Sequence, residues 1–155
     1  MKKSLLFVVF AICSLMVSAQ EYNVQSAGTG KDGSYLVKVK VSIKKMKNVT
    51  AQDLVLRYAV EAVMFDGVND ANGFSAQKPL IKDADTRQKQ AEFFDAFNNE
   101  GKYKRFASVV NSSLTSMKNK QTKMFDNEAT VIVKKEELQH FLEESGIIKG
   151  FSNLW

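Results

Sequence analysis

The tightest constraint on the fold is the stretch from Tyr35 to Ile43, where side chains sort by strict alternation. Tyr35, Val37, Val39, Val41 and Ile43 fall on one side; Leu36, Lys38, Lys40, Ser42 and Lys44 fall on the other. Period two with β-branched residues on a single side predicts a half-buried strand of an antiparallel sheet. The same pattern returns where Ala129, Val131 and Val133 alternate with Thr130, Ile132 and Lys134. Between Leu114 and Val133 the chain reads as two strands turning near Lys118-Asn119-Lys120.

Helical spacing fills the interval. Thr50-Ala51-Gln52-Asp53 has the form of an N-cap with an acid three residues on, which opens a helix from Ala51 to about Phe65. Its apolar residues, from Leu54 and Val55 to Val63 and Phe65, leave so little polar surface that it must be packed from more than one direction. Asp66-Gly67 stops it, and Asn69 to Pro79 reads as a long turn region. Thr86 is placed to cap a second helix, Arg87 to Phe97, with Ala91, Phe93, Phe94 and Phe97 inside. Tyr103, Phe106, Val109, Val110 and Leu114 keep helical spacing and predict a third, short helix. A last helix, Lys135 to Ser145, turns Leu138, Phe141 and Leu142 inward and ends at Gly146, after which Ile147 and Ile148 can fold back on it. The expected fold is α+β, a single two-layer domain with an antiparallel β-sheet and helices packed on one face.

The N-terminus addresses the compartment. Lys2 and Lys3, an apolar run from Leu5 to Val17, and Val17-Ser18-Ala19 before Gln20 have the layout of a secretory signal peptide, too short and wrongly flanked for a membrane span. The expected organisation is a signal peptide over 1–19, a flexible N-terminal segment over 20–33 and one α+β domain over 34–155. Cys13, the single cysteine, falls inside the apolar run. A lipoprotein signal would put a small residue just before it, where Ile12 stands. Cleavage after Ala19 therefore leaves no thiol for a disulfide, a metal or redox chemistry. It also removes Lys2 and Lys3, lowering the formal charge from +5 to +3. So mild a basicity argues against a dedicated nucleic-acid binder, and no second apolar run is long enough to span a membrane.

Candidate chemistry is sparse. Gly28-x-Gly30 with Gly33 spells part of a dinucleotide fingerprint, but it precedes the first strand and opens no helix. Asp70-Ala71-Asn72-Gly73 looks like part of a calcium loop. Aligned on Gly73 as the sixth position, it would need ligands at Val68 and Pro79, which carry no carboxylate. His140, the only histidine, lies on the outer side of its helix beside Glu136 and Glu144, with no further nitrogen or sulfur ligands for zinc. The carboxylates are scattered over first helical turns and polar faces, as helix electrostatics alone would place them. Phe93, Phe94, Phe97 and Phe106 sit at core spacing, not on an exposed aromatic platform. No cofactor is expected and no catalytic residue is assigned.

Two groups remain as candidate binding residues. Lys38, Lys40 and Lys44 form a basic row on the open side of the first strand, and Lys118, Lys120 and Lys123 lie near the later turn. Adjacent strands would merge them into a patch for an anionic glycan or lipid head groups; the competing reading is a solvated face that discourages edge pairing. Phe151, Leu154 and Trp155 near the C-terminus can dock on the domain or on a partner. The alternation back from Trp155 fails at Asn153 and Lys149, which excludes the closing strand of an outer-membrane barrel.

The order of motifs also carries a resemblance. A signal peptide, Tyr35-Leu36-Val37-Lys38-Val39-Lys40-Val41, an Ala/Val-rich helix, and Val131-Ile132-Val133-Lys134-Lys135-Glu136-Glu137-Leu138 running on to Gly146-Ile147-Ile148 resemble small exported α+β proteins of Gram-negative bacteria. Some of these are distantly similar to accessory proteins of curli-type secretion and outer-membrane assembly. The resemblance implies a non-enzymatic binding or assembly role in the periplasm, at the outer-membrane periphery or outside the cell, with an envelope protein as partner. It brings no catalytic residues with it.

Overall fold

The computed structural model describes residues 22–44 and 50–150. Five strands form one antiparallel sheet: β1 (Tyr22–Thr29), β2 (Tyr35–Ile43), β3 (Ala107–Val109), β4 (Thr115–Lys118) and β5 (Phe125–Val133). Their order is β1-β2-β5-β3, with β4 also paired to β5. β3 covers Val131–Val133 and β4 covers Phe125–Glu128, so two short strands share one edge of β5. The architecture is a single α+β domain, with the helices on one face of the sheet.

The alternation in β2 is realised residue by residue. Val37, Val39, Val41 and Ile43 are buried, as are Ala129, Val131 and Val133 opposite them on β5. Helix α1 (Ala51–Glu61) crosses this face and buries Leu54, Val55, Leu56, Ala59 and Val60. Its start is the capping box expected from the sequence: the Asp53 amide donates to Thr50 Oγ1 at 3.0 Å, and the Thr50 hydroxyl donates to the Asp53 carboxylate at 2.7 Å. The helix then widens into a π-helical turn, Ala62–Asp66, closed by the Gly67 amide on the Ala62 carbonyl at 2.7 Å. Phe94, Phe97, Leu138 and Leu142 from the other helices, with Phe106 from the segment just before β3, complete the core, and the Phe97 ring lies 5.8 Å from Phe141.

Three expectations need correction. The segment 20–33, expected to be flexible, contains β1: Tyr22–Thr29 pairs with β2 along its length, with a bulge between Ser26 and Gly28. Val24 supplies the buried anchor, and the backbone of buried Ser26 donates to the Asn69 carbonyl at 2.8 Å.

The helix expected over Arg87 to Phe97 is two, α2 (Thr86–Lys89) and α3 (Ala91–Asn99), broken at Gln90, and Thr86 lies inside α2 without capping it. α2 buries nothing, whereas α3 buries Phe94 and Phe97. The chain therefore turns at Gln90 to aim its phenylalanines at the core. The third helix is reduced to a 3-10 turn, Lys102–Arg105, after which Ala107–Val109 becomes β3. The free edge of β5 competes for those residues, and ladder hydrogen bonds win over one more helical turn.

The closing helix α4 (Lys135–Glu144) matches its expected span. Its end is a full Schellman arrangement. Gly146 adopts φ 72°, its amide donates to the Glu143 carbonyl at 3.0 Å, and the Ile147 amide donates to Leu142 at 2.9 Å. That reversal directs Ile147 and Ile148 back along the helix.

A candidate binding cleft between the strap and the last helix

The residues between Gly67 and α2 form a strap over the end of the π-helical turn. Terminal helix carbonyls lack intrahelical donors, and here the strap provides them. The Leu80 amide donates to Val63 at 3.0 Å and the Ile81 amide to Met64 at 2.9 Å. Val68 and Gln77 exchange a further pair of backbone bonds, both 2.8 Å. Ile81 is buried by this docking. Gly67 is required at the start of the strap: its φ is 77°, and a Cβ there would stand 2.5 Å from the Gln77 carbonyl oxygen.

Between the strap and α4 opens a cleft of about 800 Å³. One wall is the strap from Ala76 to Asp83; the other is α4 and the turn after it. Lys135, Gln139 and Glu143 are spaced four apart and share the helix face that borders the cleft. Tyr35, Leu80, Ile81, Ile147 and Ile148 supply its apolar surface. Lys78, Lys82, Lys135 and Lys149 surround them, against Asp83 and Glu143.

None of these four lysines forms an ion pair with a described residue. Lys135 instead holds its ammonium 5.4 Å from the centre of the Tyr35 ring. The acids are engaged: Asp83 lies 3.9 Å from Lys89, and Glu143 accepts from the Gln139 amide at 2.9 Å. The cleft is thus apolar within and positive around.

The sheet-face lysines are placed differently. Lys38 and Lys40 converge on Glu128 of β5, at 2.7 and 3.2 Å, and the Lys38 contact in particular holds the Glu128 carboxyl below its ordinary range. Lys44 is exposed just beyond β2. Lys118 is paired in register with Phe125, so it faces away from Lys38 and Lys40, and its ammonium lies 5.7 Å from the Phe125 ring. Lys120 and Lys123 are exposed on the turn between β4 and β5. β5 separates the two lysine groups, with Asp126 and Glu128 on its open face, so among the described residues these lysines do not merge into one row. Phe151, Leu154 and Trp155 lie outside the described residues.

A second charged cluster sits under α1. Glu61 is buried and accepts from Arg57 Nε and Asn98 Nδ2, both at 3.0 Å, with Arg87 at 3.6 Å. Beside it the Tyr22 hydroxyl donates to the Asp66 carboxylate, and the Tyr22 and Tyr58 rings stack at 4.5 Å. Burial, and then the Asp66 carboxylate, push the Tyr22 phenol well above its ordinary range. The cluster binds β1, α1, α2 and α3 to one another. A hollow of about 350 Å³ beside it is bordered by Asp53 and Lys104, which pair at 2.7 Å.

Among the described residues no group of three or more acidic, histidine or cysteine side chains could hold a metal ion. None of their helices is long and apolar enough to cross a membrane. His140 is exposed, 3.4 Å from Glu144.

The cleft escaped sequence reasoning because its two walls are far apart in the chain. Ile147 and Ile148 were legible as a fold-back. Leu80-Ile81 directly after Pro79 was the signal on the other side, an apolar pair closing a polar turn region.

Comparison with protein-family models, with curated proteins and with solved structures finds no significant match.

Proposed function

We propose that this is a non-enzymatic exported envelope protein, acting as a binding or assembly module through protein–protein contacts, with the cleft as the docking place. The cleft is the observation that carries this reading. It combines apolar surface with cations unpaired by any described residue, beside a strap held by four backbone hydrogen bonds, Leu80 to Val63, Ile81 to Met64 and the Val68–Gln77 pair, and its volume is of the size ligand clefts usually have. Export rests on the signal-like stretch from Lys2 to Ala19 and on the resemblance to exported envelope proteins. The acids support a binding role over a catalytic one, since Glu61, Asp53, Glu128 and Asp126 are each engaged by cations or hydrogen-bond donors. Binding of anionic glycan or lipid head groups through the sheet-face lysines draws less support, because Glu128 already occupies Lys38 and Lys40.

Site-specific photocross-linking in the source cells tests the proposal. Cross-linkers at Leu80 and Ile148 should give discrete protein adducts in the envelope fraction, while one at exposed Asn72 should not. The recovered protein should begin at Gln20. Retention of residues 1–19 in the cytoplasm, or equal labelling from all three positions, counts against it.

A further inference from the structure

We infer that the occupant of the cleft is a short extended peptide segment mixing acidic and apolar side chains. The inference rests on the docking reading above and adds the chemistry of the partner. Charge carries it. Lys78, Lys82, Lys135 and Lys149 have no described anionic partner, while Asp83 and Glu143 are engaged by Lys89 and Gln139. An incoming carboxylate therefore meets cations that need not give up an ion pair, and complementarity of this kind sets both specificity and association rate.

The surface between the lysines fixes the rest. Leu80, Ile147 and Ile148 are only partly buried by the core, and they present apolar surface to whatever enters. A purely acidic segment would leave that surface unmatched. Gln77, Thr86 and Gln139 intervene along the walls and can satisfy the backbone of an extended chain. An acyl chain would bring nothing to pair with those groups, and burying them unpaired is costly. A glycan would look for an exposed aromatic face. Tyr35 is the aromatic ring here, and it is buried with Lys135 over it.

Fluorescence anisotropy with the purified protein tests this. The probes are labelled peptides of one length, alternating leucine with glutamate, glutamine or lysine, plus one alternating serine with glutamate. The glutamate–leucine peptide should bind about tenfold or more tighter than the glutamine–leucine one. That advantage should shrink with added salt as the charges are screened. Lys82→Glu with Lys149→Glu should abolish it. Lys82→Gln with Lys149→Gln, a milder change on exposed side chains, should reduce it while leaving the thermal melt unchanged.

Equal binding of the glutamate and glutamine peptides, both weakened by Ile148→Ser, would overturn the acidic preference and leave the docking reading standing. Equal binding of the leucine–glutamate and serine–glutamate peptides would overturn the apolar requirement. Binding of none of the peptides would remove both the inference and the docking reading. Saturable binding of laurate in their absence would assign the cleft to a lipid instead.

Discussion

At the scale of single residues, Glu61 is the side chain whose burial most needs explaining. A carboxylate out of water is tolerated only when paired and hydrogen-bonded. Glu61 achieves this with Arg57 and Asn98 at 3.0 Å and Arg87 at 3.6 Å. Arg87 in turn lies 4.6 Å from the centre of the Phe65 ring, so its position is fixed from two sides. The arginines remain about half exposed, at 47% and 53%, while the Glu61 side chain is 5% exposed. Water can therefore take up their charges if the acid is lost, which limits the penalty. Glu61→Gln keeps the shape and one acceptor, and should cost about 1–2 kcal/mol, below the ~3–5 kcal/mol of a fully buried broken pair. Urea unfolding monitored by circular dichroism measures it. A change within a few tenths of a kcal/mol would mean that the cluster is already hydrated in solution.

At the scale of elements, the strap and the π-helical turn depend on each other. The turn exposes the carbonyls of Val63 and Met64, the strap supplies the amides of Leu80 and Ile81, and Gly67 makes the reversal between them. Gly67→Ala meets both a left-handed backbone and the Gln77 carbonyl at 2.5 Å. Gly146→Ala meets a similar φ of 72° with nothing within 4 Å. Conformation alone should make the second cost about 1 kcal/mol. The first should cost at least twice that, because backbone on one side or the other must move, and it should widen the cleft. Melting temperatures of the two variants decide; equal losses would show that the strap yields freely.

The same elements show which parts of the fold could be read from sequence. β2, β5, α1 and α4 each carry a long uninterrupted period, and each has the expected ends to within a few residues. β1 was hidden because its buried side holds only Val24 and Ser26 beside half-buried Tyr22, so the alternation is there without the hydrophobicity. Gln90 and β3 were decided by tertiary competition, the first by the turn that aims Phe94 and Phe97 inward, the second by an open edge on β5. The cleft belongs to this class. Its lysines look like ordinary solvated charge until the fold gathers them from both sides of an apolar surface.

At the scale of the whole molecule, carboxylates stitch distant segments together, and this sets the response to acid. Asp53 joins the start of α1 to the 3-10 turn through Lys104, which with the Thr50 hydroxyl holds its carboxyl below the ordinary range. Glu128 joins β5 to β2 through Lys38 and is lowered chiefly by that contact. Asp126 accepts from Ser42 of β2 at 2.6 Å and from Asn119 in the turn after β4 at 3.1 Å, and these bonds lower it in the same direction.

All three bind protons more weakly folded than unfolded. Their contribution is therefore fully present above the ordinary carboxylate value of about 4 and is lost as pH falls through the lower folded values. The urea midpoint should stay nearly level down to about pH 5 and then drop steadily toward about pH 2. The triple variant Asp53→Asn, Glu128→Gln, Asp126→Asn should start lower at neutral pH and fall less steeply. Parallel curves for the two proteins would place the acid sensitivity elsewhere in the chain. A shallower curve would mean that the bonds fastening β2, β5 and the start of α1 are also what acid releases.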